Sequence, residues 1–316
     1  MFRVSQQRLL STATLSEGLP AYFGPSVFCD VESADRVVIN RVSSVLVSMA
    51  TPFQEVCIFR TPNFGLVLTL DGIIQLAELD EHIYHELLVH PAALALPELK
   101  SVLILGGGDG CAARELLKYR ELEHLEVVEI DLQVVDLCRE HLKQINRGSL
   151  DDPRVTLVVQ EGESYLNSHP ENRYDLVLAD LTEPYDTAGS SGDLSRNIFS
   201  TRFYYRLKRH MNPGGILAVQ SGGVTFTPIV DIFHRSIVDG LRECFASVHT
   251  AYEYMRSYDQ VWTLTLASDQ FYDIPELDPD PMIESRGIAD LKHYDGISHR
   301  RAFSPPRHLR RSIEDR

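Results

Sequence analysis

From about Val27 to Leu76, apolar and polar residues alternate in short runs: VFCDV, RVVIN, SSVLVSMA, FQEVCIF, GLVLTLDG and IIQLAEL. Pro62, Asn63, Asp71 and Gly72 stand between them. A period of two broken by turn formers predicts hairpins, so this region is expected to form a small antiparallel sheet. Asp80 to Leu94 (DEHIYHELLVHPAAL) reads as a helix with acidic residues in its first turn and an interruption at Pro91. After Ser101 the pattern changes. Apolar runs at 102–105, 125–130, 155–159, 174–179 and 215–219 alternate with helical patterns at 132–145, 200–210 and 228–244. That alternation predicts a largely parallel sheet covered on both faces. Runs at 247–254 and 261–267 are close enough to close the sheet as an antiparallel hairpin, making about seven strands from Ser101 onward.

Composition narrows the class. The chain has 316 residues, 44% hydrophobic and 24% charged, enough to bury a full core. The N-terminus carries no sustained apolar signal region, and no run of eighteen apolar residues lacks Pro or charge. Neither secretion nor membrane spanning is expected. Five scattered cysteines without CxxC spacing argue against a zinc site or a disulfide framework and point to a reducing cytoplasm. A formal net charge of −15 disfavours nucleic acid and is compatible with a cationic ligand.

The chemistry gathers around Ser101 to Asp131, which reads as strand, glycine turn, helix, strand and acid. Gly106, Gly108 and Gly110 give GxGxG, and Cys111 stands where a dinucleotide fingerprint needs its third glycine, so the spacing favours an adenosyl-sulfonium ligand over NAD. Glu129 ends the next strand, where a carboxylate can accept both ribose hydroxyl protons. Asp109, inside the turn, would repel an amino-acid carboxylate and attract a decarboxylated ligand that ends in an ammonium. YDLVLADLTEP places Asp180 at the carboxyl end of a later strand, where it can take a proton from an attacking amine, and Glu183 three residues on, where it can hold a second ammonium. Tyr258 and Asp259 are candidates for an aromatic wall and a carboxylate along a methylene chain. Trp262 is a candidate near the pocket, although a lone Trp on an apolar strand is more often core.

These residues carry a resemblance. From about Asn40 to Asp269 the chain resembles the polyamine aminopropyltransferases, the spermidine synthase family, and most of all their thermospermine synthase and bacterial triamine-forming branch. The segments are FQEV (53–56), LDGIIQLAELDEHIYHE (70–86), LILGGGDG (103–110), AARELLKY (112–119), VVEID (127–131), YDLVLADLTEP (174–184), NPGGILAVQSG (212–222) and WTLTLASD (262–269), with fainter similarity at LKHYDG (291–296). The resemblance implies an α/β fold: a Rossmann-like seven-stranded sheet of the methyltransferase type with a small N-terminal antiparallel β domain. The expected division is an N-terminal extension (1–26), a β-hairpin domain (27–78), the catalytic domain (79–268) and a C-terminal tail (269–316). That tail, rich in Pro and charge, is expected to be partly disordered.

By resemblance, Gln54 would contact decarboxylated S-adenosylmethionine, Gly106 and Gly108 would form the donor turn, Asp109 would bind the aminopropyl ammonium and Glu129 the ribose. Asp180, helped by Tyr84, would deprotonate the acceptor amine, and Gln220 would line the acceptor channel. The donor is a co-substrate, and neither a metal nor a separate cofactor is implied. The partner is a small-molecule polyamine, and the family suggests a homodimer built partly through the N-terminal sheet. Glu161 stands where the family usually has an Asp for the adenine amino group, Glu183 replaces the usual second Asp of DxxDP, and His85 follows Tyr84 where spermidine synthases proper tend to have Gln. The loop YDTAGSSGDLSRNIFS is expected to be a mobile lid. Two alternatives stay open: a methyltransferase using S-adenosylmethionine, and a polyamine-binding protein without turnover.

Overall fold

The computed structural model describes residues 9–11, 26–33, 36–182, 199–224 and 232–307. Fourteen strands among them form three sheets. The first seven are β1 (Leu9–Ser11), β2 (Ser26–Ser33), β3 (Arg36–Arg41), β4 (Ser44–Ala50), β5 (Glu55–Thr61), β6 (Gly65–Leu70) and β7 (Ile73–Ala77). The hairpin reading holds strand by strand, but the expected single sheet is two, β1–β2–β3 and β4–β5–β6–β7, all antiparallel. The division falls between adjacent amides. Val42 N–H donates to Ser26 in the first sheet and Ser43 N–H to Arg60 in the second.

Helix α1 (Glu81–Ala95) runs through Pro91 without the expected interruption. Leu87, Leu88, Val89, Ala92, Ala93 and Leu94 are all buried, so the helix is enclosed rather than amphipathic. Packing on every side outweighs the roughly 3 kcal/mol that an interior proline costs.

The main sheet contains β8 (Ser101–Gly106), β9 (His124–Glu129), β10 (Val155–Val159), β11 (Tyr174–Asp180), β12 (Met211–Val224), β13 (Ser247–Met255) and β14 (Gln260–Ser268). Their spatial order is β10-β9-β8-β11-β12-β14-β13. The first five are parallel, and β14 and β13 close the edge antiparallel, as the spacing of the last two runs predicts. The chain builds outward from β8 to β10, then returns to place β11 on the other side of β8. Ligands of open α/β sheets bind at the carboxyl ends of the strands flanking such a reversal. Leu103 and Leu105 face one hydrophobic cluster, and Val102 and Ile104 face the other, so β8 is buried on both faces.

The tail is not disordered through Arg307. Helix Pro279–Arg286 packs against α1 and helix Gly296–Ala302 against β13, and Ile274, Ile288, Tyr294 and Ala302 join the main core. Its polar anchor is Glu86 on α1, which accepts hydrogen bonds from the amides of Lys292, His293 and Tyr294 at 2.8–2.9 Å. Composition suggested disorder because the apolar residues are few, but Ile274, Ile288, Tyr294 and Ala302 are buried, while Phe271 and Ile297 stay exposed. Among the described residues, no helix is long and apolar enough to cross a membrane.

Candidate active site

A cleft of about 300 Å³ opens at the carboxyl ends of β8, β9 and β11, within the range of small-molecule sites. Gln54, Tyr84, His85, Gly106, Gly108, Asp109, Glu129, Glu161, Asp180, Gln220 and Tyr258 all line it. Glu183 and most of the expected lid lie outside the described residues. Asp259 does not join the lining. It sits in the β13–β14 turn with φ 51° and accepts the Tyr254 hydroxyl at 2.5 Å. Its place beside Tyr258 in the sequence suggested a shared wall, but the turn carries the two side chains apart.

The glycines are required by close approach. Gly106 has φ 82°, and a Cβ there would lie 2.1 Å from the Asp180 carbonyl oxygen, so β8 and β11 can end side by side only without one. A Cβ on Gly108 would come within 3.0 Å of the Glu129 carboxylate. The turn then delivers Asp109, whose Oδ1 accepts from the Cys111 amide at 2.7 Å where α2 (Cys111–Leu116) begins.

Tyr84 and His85 project from α1 with their rings edge to face at 4.9 Å. The Tyr84 hydroxyl donates to Asp180 Oδ1 at 2.5 Å. Burial, reinforced by the negative charge of Asp109, raises the Asp180 carboxyl to about 6, although His85 and the Tyr84 hydrogen bond oppose the rise. Tyr84 is pushed well above the usual phenol range by burial and by the Asp180 charge, so it stays a donor. Asp109 is buried too, yet His85, whose Nε2 lies 3.7 Å away, and the Cys111 amide hold its carboxyl below the usual range. The site therefore holds one firmly ionised carboxylate and one poised to exchange a proton near neutral pH.

At the donor side, burial raises Glu129 to about 7, with the Asp131 charge adding to the rise and nearby backbone amides opposing it. Asp131 is a residue that spacing did not single out. Its carboxylate accepts from Thr51 Oγ1 at 2.6 Å, from Gln54 Nε2 at 3.1 Å and from the Gln133 amide at 3.1 Å. It thereby ties the β4–β5 turn to the end of β9. The available signal was the second acid of VVEID. Glu161 keeps its carboxylate on the amides of Glu163 and Ser164, at 2.8 and 2.7 Å, capping helix Gly162–Ser168 at the cleft edge.

On the opposite side, Gln220 donates to the Leu181 carbonyl at 2.7 Å and accepts from the Gly222 amide at 3.0 Å, which fixes its orientation. Tyr258 donates to the Gln75 carbonyl at 2.6 Å and packs against Trp262 at 4.7 Å between ring centroids. Trp262 is thus a wall of the cleft and not simply core. Glu81, His85 and Cys111 bring potential ligand atoms within 4.8 Å of one another, but the Arg114 guanidinium donates to both Glu81 oxygens at 2.9 Å, making this an ion-pair cluster.

A mixed α/β sheet whose strand order reverses beside a carboxylate-lined cleft has the form of a nucleoside-binding α/β protein. Residues 81–276 match the spermine/spermidine synthase domain, and residues 28–78 match the spermidine synthase tetramerisation domain. A polyamine aminopropyltransferase of Aeropyrum pernix is 36% identical over 244 residues, covering 77% of this chain and 75% of its own. Polyamine aminopropyltransferase 2 of Pseudomonas aeruginosa is 37% identical over 252 residues, covering 79% and 70%. A crystal structure of spermidine synthase in complex with the transition-state analogue AdoDATO superposes with a TM-score of 0.79 at 29% identity, over 88% of this chain and 91% of that one. The chain belongs to the spermidine synthase (polyamine aminopropyltransferase) family. Its reaction is transfer of an aminopropyl group from a donor derived from S-adenosylmethionine to a polyamine substrate, and its N-terminal region is an oligomerisation domain.

Proposed function

We propose that the acceptor is an aliphatic di- or triamine and that Asp180 is the base that removes its proton. The observation that carries this reading is the Asp180 carboxylate at the meeting point of β8 and β11, held by Tyr84 and lifted to about 6. The acceptor nitrogen attacks the aminopropyl carbon next to sulfur. The C–N bond forms as the C–S bond breaks, the sulfonium leaves as neutral methylthioadenosine, and the nitrogen's proton passes to Asp180. Asp109 holds the donor ammonium, Glu129 the ribose, Gln54 and Glu161 the rest of the nucleoside, and Gln220, Tyr258 and His85 border the acceptor. Glu183, outside the described residues, would hold the distal ammonium. The sulfonium is already an activated leaving group, so the protein's work is to orient the reactants and deprotonate the amine.

The test is a panel of putrescine, cadaverine, agmatine, spermidine and norspermidine with the decarboxylated donor, measuring methylthioadenosine and product mass. Wild type should form an aminopropylated product from at least one of them. Asp180→Asn should lose about 10²- to 10⁴-fold in turnover while still binding donor. Methyl transfer from S-adenosylmethionine without methylthioadenosine formation would overturn the reading.

The assembly is a homodimer joined through the N-terminal sheets. Val45, Leu46, Met49 and Phe53 lie 41–51% exposed along β4 and the turn after it, an apolar edge that a second copy can cover. Light scattering of Phe53→Glu should report a smaller particle. Five free thiols support a cytoplasmic location.

A further inference from the structure

Behind the carboxylates that face the substrates runs a second row of buried charges, with His85 at its cleft end. His85, 2% exposed, is enclosed by acceptors on both ring nitrogens. Its Nδ1 faces the Glu81 carbonyl at 2.7 Å and the Glu81 carboxylate at 3.0 Å, while Nε2 faces Asp109 Oδ2 at 3.7 Å. Both ring nitrogens thus face carboxylates, an arrangement that an imidazolium meets with an N–H on each side. Glu81, also 2% exposed, is clamped in turn by Arg114, whose NH1 and NH2 each donate to one carboxylate oxygen at 2.9 Å. Arg114 is held at its far side by Glu115 at 2.8 Å and the Ile145 carbonyl at 2.8 Å.

We infer that Glu81 is a positioning residue: clamped by Arg114, it orients His85 and keeps it a permanent imidazolium, and that fixed cation behind Asp109 sets the ionisation of the Asp109 and Asp180 pair. The chain of groups runs Arg114, Glu81, His85, Asp109, with Asp180 beyond. It alternates in sign through its first four members, so burial is offset at each contact. The other groups facing His85 leave this assignment intact. Tyr84, from the same helix, and Tyr258, from the β13–β14 turn, are neutral phenols, and the Cys111 thiol is pushed well above its ordinary range by burial and the Asp109 charge. Burial alone would discharge His85, but Asp109 and Glu81 overcome it and carry the ring to about 10. In the other direction, the His85 charge lowers both Asp109 and Asp180. Without it the two carboxylates face each other unbalanced, and Asp180 takes up its proton at a higher pH.

The inference rests on the reading of Asp180 as the base, and the experiment separates the two. In wild-type protein labelled with ¹³C-histidine, the His85 ring resonance, assigned by its loss in His85→Gln, is followed from about pH 5 to pH 9.5. It should stay in the imidazolium position to at least about pH 9, and its midpoint should fall by about one unit or more in Glu81→Gln. In the steady-state profile of methylthioadenosine release, His85→Gln should move the acid limb of kcat/KM alkaline by about half a unit or more. A wild-type His85 midpoint near that of a free imidazole overturns the inference. An acid limb unmoved in His85→Gln also overturns it, as does a His85 midpoint unmoved in Glu81→Gln. If Asp180→Asn keeps wild-type turnover, the base assignment fails instead, while the His85 titration still reports on the clamp.

Discussion

Replacing Tyr84 with Phe removes one hydroxyl from the base and changes little else, because the ring stays buried on α1. The lost contact is the 2.5 Å hydrogen bond to Asp180, which helps to hold its carboxyl down at about 6 against burial. A hydrogen bond to a charged group is worth about 1.5–3 kcal/mol. One pKa unit corresponds to about 1.36 kcal/mol, so the Asp180 carboxyl should rise by about one to two units. The sign follows from which form the bond favours: Tyr84 donates to the carboxylate, so its loss favours the protonated acid. At pH 7 the ionised fraction should fall from about nine-tenths to between about a half and a tenth. The kcat/KM for donor at saturating acceptor should therefore drop about two- to tenfold at pH 7 and recover most of that loss by about pH 9. Methylthioadenosine release, measured across this range for both proteins, checks the shift. A rate lowered by the same factor at every pH, with the acid limb unmoved, would refute the claim that Tyr84 acts through the ionisation of Asp180.

Other substitutions probe the rest of the cleft. Asp109→Asn retains an oxygen for the Cys111 amide but loses the charge, so decarboxylated donor should bind about 10- to 100-fold more weakly. Methylthioadenosine, which has no ammonium, should bind within about threefold of wild type when titrated calorimetrically. Glu129, lifted to about 7, must be ionised to accept two ribose hydroxyl protons. Donor binding near pH 7 should consequently release a proton and tighten with rising pH, and calorimetry in buffers of different ionisation enthalpy should lose that signal in Glu129→Gln. Gly106→Ala would drive a Cβ to 2.1 Å from the Asp180 carbonyl at a φ of 82°. Its melting temperature and donor affinity should both fall, whereas Gly148→Ala, also at positive φ but with only Lys143 Cε nearby at 4.0 Å, should keep donor affinity.

The periodicities decided a great deal on their own. Strands of the main sheet, their order of occurrence, the antiparallel closing hairpin and the glycine turn all follow from runs of neighbouring residues, because pleat, helix pitch and turn geometry are local properties of the chain. Placement of Asp180 at a strand's carboxyl end was legible for the same reason. What spacing could not convey is who meets whom across long loops. Tyr84 reaches Asp180 over 96 residues, Gln54 reaches Asp131 over 77, and Glu86 gathers the amides of Lys292 to Tyr294 from more than 200 residues away. Those meetings depend on packing, which turned the tail from a charged, proline-rich stretch into a layer over α1 and carried α1 straight through Pro91. Packing likewise took Asp259 away from the cleft and brought Trp262 to it. His85 illustrates the division best. Sequence placed it beside Tyr84, a position suited to touching the acceptor, but its charge depends on Glu81 one helical turn back and on Asp109 across the glycine turn, and only the folded interior, where the low local dielectric strengthens those contacts, makes their sum decisive.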